Sequence, residues 1–208
     1  MNDCTIVSTV RHGETEFNRQ RRYAGTLDVP LNDTGIRDTI SAARRMEGQR
    51  FDAVVTSTLM RAIQTARYLL GEDVETVQTD LCCERNYGGM QGLTEEEVRS
   101  MRPKIMYIYE GDDYHSLNPP GGESFEEVRQ RAERFFDFIL DNYRGKKVLV
   151  VSHYTFLQQL HGLMKGHDWI ASLGESIGNL QCYTFHLEGN SLVRAEIMPL
   201  VDRKQSNW

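Results

Sequence analysis

The chain has 208 residues, a formal net charge of −6 and a hydrophobic share of 39%. This acidic balance argues against general nucleic-acid affinity, because phosphate backbones are bound through basic surfaces. No apolar run approaches the roughly 20 residues that span a bilayer, and the first residues lack the basic and apolar regions of a secretory signal. We therefore expect one domain over residues 1–208, located in the cytoplasm and not associated with membranes.

Short β-branched runs alternate with helix-length segments along the chain. They predict strands at 4–10, 53–57, 74–79, 146–153 and 181–187. The run 148–151 is apolar at every position, which is typical of a central strand covered by helices on both faces. This order predicts an α/β fold, a three-layer α/β/α sandwich with a mostly parallel central sheet.

Two helix starts carry the capping-box spacing, in which side chains satisfy the first free amides: Thr94 with Glu97, and Ser124 with Glu127. In the second helix, apolar residues recur at steps of three and four, which indicates a buried face. Between the two helices, residues 102–123 show no clean period and end in proline and glycine. Because such long connections are often functional, we predict a long loop or short-helix lid there.

The cysteines at positions 4, 82, 83 and 182 have no metal-ligand spacing, and two of them are neighbours. We therefore interpret them as reduced packing residues. The chain also contains no HExxH, no clustered carboxylates and no Walker-type GxxxxGK[ST]. No metal and no cofactor are predicted.

Several charged residues follow predicted strands at their carboxyl ends, where ligands bind in open α/β sheets. Arg11 and His12 precede Gly13, and a glycine lets the backbone turn sharply. Although far apart in sequence, these side chains could converge on an anion. They are Arg11, His12, Arg61, Glu84, Arg85 and His153.

These residues lie in stretches that together resemble the histidine phosphatase superfamily, which includes the cofactor-dependent phosphoglycerate mutases. The stretches occur in family order over roughly residues 5–160. They are RHGET at 11–15 with Asn18, LNDTG at 31–35, STLMRAIQTA at 57–66, ERNYGGMQGL at 84–93, PPGGES at 119–124 and VVSH at 150–153.

The resemblance implies a phosphohistidine mechanism acting on a small phosphorylated substrate. His12 would attack phosphorus, while Arg11, Arg61 and His153 would stabilise the transferring group. Glu84 would protonate the leaving oxygen and then deprotonate the attacking water, so it must hold a proton part of the time near neutral pH; Arg85 nearby would favour its ionised form.

The resemblance also assigns residues of lesser roles and shows two departures. Asn18, Gly25, Arg85 and Tyr154 would contact the phosphate or the substrate, and Glu14 would orient its neighbours. Tyr154 stands where the family usually has glycine, which reshapes the pocket, and Gln158 stands where many relatives have arginine. The remaining histidines match no motif position and are interpreted as surface or core residues: His115, His161, His167 and His186.

Three functions remain open from sequence: a phosphatase of small phosphorylated metabolites, a phosphoglycerate mutase, and a non-catalytic binding member of the fold. Retention of both nucleophile and acid disfavours the third. A mutase of this family grips its substrate with adjacent arginines in the lid, where this chain instead has Glu110, Gly111, Asp112 and Asp113. These carboxylates would repel a carboxylate substrate, so hydrolysis is favoured. The sequence makes no prediction of oligomeric state.

Overall fold

A six-stranded sheet forms the centre of the molecule in the computed structural model, which describes residues 4–110 and 113–202. The strand order is β3-β2-β6-β1-β7-β8. The pairs β1/β6, β2/β6 and β2/β3 are parallel, whereas β7 runs antiparallel to both β1 and β8. The strands are β1 Cys4–Arg11, β2 Ala53–Thr56, β3 Val77–Gln78, β6 Lys147–Ser152, β7 Gln181–Glu188 and β8 Ser191–Pro199.

Helices cover both faces of this sheet, as the apolar central strand predicts. On one face α5 and α6 pack against Val7, Val148 and Val150, and on the other face α2 and α3 pack against Leu149 and Val151. Alternate residues of β6 thus enter opposite cores, as the period-two geometry of a strand requires. The helices are α1 Glu16–Arg19, α2 Asp33–Met46, α3 Met60–Leu70, α4 Glu95–Arg99, α5 Phe125–Tyr143 and α6 Tyr154–Met164.

Local sequence signals account for where several helices begin. Both predicted capping boxes are present, at Thr94 for α4 and at Ser124 for α5. The side chain of Asn32 caps α2 by accepting a hydrogen bond from the Gly35 amide at 2.7 Å. Asn32 also donates its amide to the Glu14 carboxylate at 2.9 Å, so Glu14 helps to fix the start of α2.

The two edges of the sheet differ from the sequence prediction. β3 contains only residues 77–78, both exposed, instead of the predicted 74–79. β8 was not predicted, because its side chains are almost all exposed and give no buried-face pattern. Its pairing with β7 stabilises it instead. The four cysteines are free, as expected.

The predicted lid is a β-hairpin rather than a loop or short helix. β4 Tyr107–Glu110 pairs antiparallel with β5 Asp113–Ser116. Aromatic residues, which favour strands, contact each other there: the rings of Tyr107 and Tyr114 lie 5.5 Å apart. Of the acidic cluster in the turn, residues 111 and 112 lie outside the described residues, and the side chains at 110 and 113 are likewise not described.

Within the described residues, no helix is both long enough and apolar enough to cross a membrane.

One buried histidine belongs to the core. The ring of His161 lies between Tyr183 and Phe185, with centroid distances of 4.7 and 4.8 Å, and its Nε2 is 2.7 Å from the Thr9 hydroxyl. Burial lowers the pKa of His161 well below its ordinary value. The folded protein therefore keeps this ring neutral at a pH where the unfolded chain protonates it.

This difference predicts that acid destabilises the fold through His161. As the pH falls below about 6.5, the unfolded state binds a proton that the folded state does not, so the unfolding free energy falls by up to about 1.4 kcal/mol per pH unit. Urea unfolding at about pH 7.5, 6.5 and 5.5 should show this slope reduced by about that amount in His161→Gln. Leu69→Ala, which removes packing in the core on the other face of the sheet and no titrating group, should destabilise the protein with an unchanged slope. An unchanged slope in His161→Gln would contradict the assignment.

Candidate active site

The charged residues singled out from sequence converge at the carboxyl edge of the parallel strands, where they line a cavity of about 120 Å³. β1 ends at Arg11 and β6 ends just before His153, while Arg61 lies in the first turn of α3 after β2. The structure thus places every predicted site residue except His153 on the wall of this cavity, and His153 lies directly behind it against His12. The predicted residues on the wall are Arg11, His12, Asn18, Gly25, Arg61, Glu84, Arg85 and Tyr154.

His12 has the protonation state and the tautomer that a nucleophile needs. Its Nδ1 is 2.7 Å from the Gly13 carbonyl oxygen, which can only accept, so Nδ1 carries the hydrogen and Nε2 has the lone pair. Burial, together with the charges of Arg61 and Arg11, lowers the pKa of His12 well below its ordinary value. The ring is therefore neutral at neutral pH.

Arg61 and His153 form a hydrogen-bonded unit behind His12. Arg61 Nε donates to His153 Nδ1 at 3.1 Å, so the hydrogen of the neutral ring lies on Nε2, which is 2.6 Å from the Ser57 hydroxyl. The rings of His153 and His12 are 5.1 Å apart. Burial, the Arg61 charge and His12 lower the pKa of His153 well below its ordinary value. The structure therefore shows a neutral His153 ring with both nitrogens hydrogen-bonded.

Arg61 also holds the loop that closes one side of the cavity. Its Nη1 and Nη2 donate to the carbonyl oxygens of Leu27 and Gly25 at 2.9 and 2.7 Å. Burial lowers the pKa of Arg61 to about 10, which leaves it charged at neutral pH. Gly25 has a φ of +53°, and a Cβ there would lie 2.1 Å from the Gln91 side-chain oxygen, so this position requires glycine.

Arg11 is buried and only partly hydrogen-bonded. Its Nη1 donates to the Ile177 carbonyl at 2.8 Å, whereas its buried Nε has no hydrogen-bond partner within the described residues. The Tyr154 ring covers the guanidinium group at 4.9 Å, and Gln158 Nε2 donates to the Tyr154 hydroxyl at 3.2 Å. The two family departures are therefore in contact with each other, and one of them, Tyr154, contacts the predicted phosphate ligand Arg11.

Asn18 lies on the cavity wall with its amide oriented. Its Oδ1 accepts from the Thr15 amide and hydroxyl at 3.0 and 2.9 Å. Because the oxygen faces Thr15, the Nδ2 donor is on the other side of the amide group. This leaves Asn18 able to donate to an anion.

Glu84 is held against the start of α6. Its Oε1 accepts from the amides of Arg85, Thr155 and Phe156 at 2.8, 3.1 and 3.3 Å. Its Oε2 has one longer bond, to the Thr155 amide at 3.3 Å. Since Oε1 is anchored by three donors, Oε2 is the oxygen that is freer to exchange a proton with a ligand.

Arg85 and the hairpin form the outer part of the cavity. Arg85 Nε and Nη1 donate to the carbonyl oxygens of Glu123 and Ser116, each at 2.8 Å, and its guanidinium lies 3.9 Å from the centre of the Phe125 ring. Its buried Nη2 has no hydrogen-bond partner within residues 4–110 and 113–202. Arg85 thus retains a donor for a second polar group of a substrate.

Several wall residues could not be found from the motifs. His115, which was interpreted from sequence as a surface or core residue, is buried and lines the cavity. Its neighbours on β5, Tyr114 and Ser116, line the cavity as well. They reach the cavity because the hairpin folds back over the site, and no local sequence pattern predicts that packing. Ser57 belongs to the motif STLMRAIQTA, but its hydrogen bond to His153 was not predicted from sequence.

No group of three or more histidine, cysteine, aspartate or glutamate side chains in the described part of the chain is arranged to hold a metal ion.

Comparison with known proteins gives the family of this chain. Residues 7–196 match the family described as "Histidine phosphatase superfamily (branch 1)", and the chain belongs to this superfamily.

Individual relatives support the same assignment. The chain is 37% identical over 196 residues to "Bifunctional protein Rv2228c" of Mycobacterium tuberculosis, covering 91% of this chain and 53% of that protein. It is 34% identical over 139 residues to "Fructose-2,6-bisphosphatase TIGAR" of Xenopus tropicalis, covering 64% and 49%. The chain thus spans about half the length of each of these relatives. The solved structure "Bacillus stearothermophilus YhfR" has a TM-score of 0.77 at 27% identity and covers 90% of this chain and 94% of that one.

Because the Tyr154 ring lies over the Arg11 guanidinium, we predict that substitutions of Tyr154 weaken anion binding to different degrees. Tyr154→Phe keeps the ring and should change the vanadate inhibition constant less than about threefold. Tyr154→Leu removes the cation–π contact, which is worth about 1–2 kcal/mol when desolvated, and should raise that constant about 5- to 30-fold. The ring is one of the few contacts that hold this guanidinium. Vanadate inhibition constants for both variants test this. Equal constants for Leu and Phe would show that the ring does not support Arg11.

Proposed function

We propose that this protein is a phosphatase that hydrolyses small phosphomonoesters through a phosphohistidine formed on His12. The observation that carries the proposal is the state of His12: a buried ring, neutral, with its Nε2 lone pair available and buried arginines beside it. A neutral nucleophile avoids the repulsion that an anion would meet at a phosphate dianion. The neighbouring charge favours the dianion once it is bound.

Three arginines supply that charge without local compensation. Arg11, Arg61 and Arg85 line the cavity, and none of them forms an ion pair with a carboxylate in the part of the chain that the structure describes. Removed from water, their charges are weakly screened, so they act strongly on an anion. Arg11 and Arg61 bind the transferring phosphoryl group, with Asn18 as a further donor.

His153 has a supporting role in this mechanism. By accepting from Arg61 Nε it fixes the plane of the guanidinium, and its Nε2–H is then able to donate to the Ser57 hydroxyl. Because Nδ1 accepts from Arg61 Nε and Nε2 faces the Ser57 hydroxyl, His153 acts on the phosphoryl group through Arg61.

Glu84 completes the reaction in both steps. As the ester bond breaks, the Glu84 carboxyl gives its proton to the leaving oxygen while His12 Nε2 bonds to phosphorus. In the second step the carboxylate takes a proton from water, whose oxygen attacks phosphorus and releases His12 and inorganic phosphate. Oε2, the less anchored oxygen, is the one that exchanges the proton.

Hydrolysis is favoured over isomerisation by two features. The bisphosphatase name of a relative agrees with a hydrolytic function. The turn of the hairpin carries acidic residues in sequence where a mutase of this family would need cations for a carboxylate.

Replacement of the nucleophile should abolish turnover. His12→Ala removes the only proposed acceptor of the phosphoryl group, so we expect hydrolysis of any good substrate to fall at least about 1000-fold. Brief incubation of the parent with radiolabelled substrate and an alkaline quench should trap an acid-labile, base-stable phosphoenzyme, which His12→Ala should lack. His186→Ala, which changes a half-buried histidine on β7, is the matched control. Substantial activity in His12→Ala would overturn the mechanism.

A substrate panel should separate hydrolysis from transfer. We expect phosphate release from one or several phosphomonoesters, and less conversion of 3-phosphoglycerate to 2-phosphoglycerate, because the hairpin turn is acidic in sequence where a mutase of this family has arginines that hold that product. Phosphate release and isomerisation are measured on the same preparation, with and without chelator, since all the proposed charge comes from protein. Isomerisation faster than every hydrolysis would establish the mutase alternative. Activity lost in chelator and restored by a divalent ion would reveal a metal requirement.

A further inference from the structure

An arginine outside the cavity wall donates three hydrogen bonds to the segment that carries Glu84. Arg131 lies on α5 and is 9% exposed. Its Nη1 donates to the carbonyl oxygens of Leu81 and Cys83 at 3.0 and 2.6 Å, and its Nη2 donates to the Glu84 carbonyl at 3.3 Å. One guanidinium thus binds three carbonyls of the segment that leads into Glu84.

The remaining donors of Arg131 form a bidentate pair with Glu123. Nε and Nη2 reach the two carboxylate oxygens at 3.0 and 2.9 Å. The same carboxylate accepts from the Asn86 amide at 2.8 Å, and the Glu123 backbone bonds to the Asn86 carbonyl and to Arg85 Nε. Arg131 and Glu123 therefore hold the segment on both sides of Glu84.

Arg131 also touches the structure that receives the Glu84 side chain. Its guanidinium carbon lies 5.3 Å from the centre of the Phe156 ring. The amide of Phe156 is in turn one of the donors to Glu84 Oε1. The carboxyl group is thus fixed between two elements that Arg131 contacts, the 81–86 segment and the start of α6.

We infer that Arg131, with Glu123, is a positioning residue for proton transfer by Glu84. The inference rests on the proposed function, because it concerns the acid of that reaction. A positioned acid matters most when the leaving oxygen is strongly basic, since an alkoxide cannot leave without a proton whereas a nitrophenolate can. Loss of Arg131 should therefore be selective for the leaving group. A purely structural role would slow all substrates alike.

The test is phosphoenzyme formation in Arg131→Lys with two substrates. Rapid quench with an alkyl phosphate should show a loss of at least about tenfold, because misplacing a general acid removes part of its 10²- to 10⁴-fold contribution. The burst with p-nitrophenyl phosphate should change less than about threefold. Glu84→Gln gives the reference selectivity, and Arg131→Lys added to Glu84→Gln should cost little more, because both changes act on one step.

Two further variants complete the design. Arg129→Lys is the matched control: this arginine lies two residues away on α5 and donates to the His167 carbonyl instead, so its loss should not alter the alkyl-to-aryl ratio. Glu123→Gln keeps the size and the backbone contacts, and it provides the test if Arg131→Lys does not fold. It should shift the ratio in the same direction.

The outcomes separate the inference from the proposed function. Equal losses on both substrates in Arg131→Lys and in Glu123→Gln would overturn the positioning role while leaving the phosphohistidine mechanism in place. No phosphoenzyme in the parent protein, or no selectivity in Glu84→Gln, would instead overturn the proposed reaction or its acid.

Discussion

The site depends on buried arginine charge that, among the described residues, forms no ion pair with a carboxylate. Burial of a guanidinium is costly unless its donors are satisfied. This protein satisfies them mainly with backbone carbonyls: Arg61 uses those of Gly25 and Leu27, Arg85 those of Ser116 and Glu123, and Arg11 that of Ile177. Carbonyl oxygens accept hydrogen bonds without cancelling the net charge. The positive potential therefore stays available for an anion, and each arginine also fixes a loop of the cavity.

The same charge sets the state of the histidines. His12 and His153 lie beside Arg61, and both are buried, so their pKa values are lowered by causes that act in the same direction. Burial is the larger cause, and the arginine charge adds to it. The charge that attracts a phosphate therefore also helps to keep the proposed nucleophile neutral, as the proposed phosphohistidine mechanism requires. The lowered pKa keeps His153 neutral, which explains why its Nδ1 can accept a hydrogen bond from Arg61 Nε.

Sequence reasoning was successful where a strand end carries a motif. Arg11, His12 and His153 follow buried strands whose parallel pairing could be predicted, so their convergence follows from the sheet. The prediction was weaker where position depends on long-range packing. The hairpin was expected as a loop or short helix, because its strands are short and lie outside the main core. His115 reaches the cavity only through that hairpin, and Arg131 occurs in an ordinary helical pattern that gives no sign of its carbonyl contacts.

The first turn of α6 connects three groups of the site, His153, Arg11 and Glu84. His153 is its N-cap residue, Tyr154 follows with its ring over Arg11, and the next two amides hold the Glu84 carboxyl. A glycine at position 154 would leave that face of Arg11 without the ring. Gln158, one helical turn on, bonds to the Tyr154 hydroxyl and to the carbonyls of Leu173 and Glu175. The two family departures thus belong to one hydrogen-bond network, which joins the ring over Arg11 to the 173–175 segment.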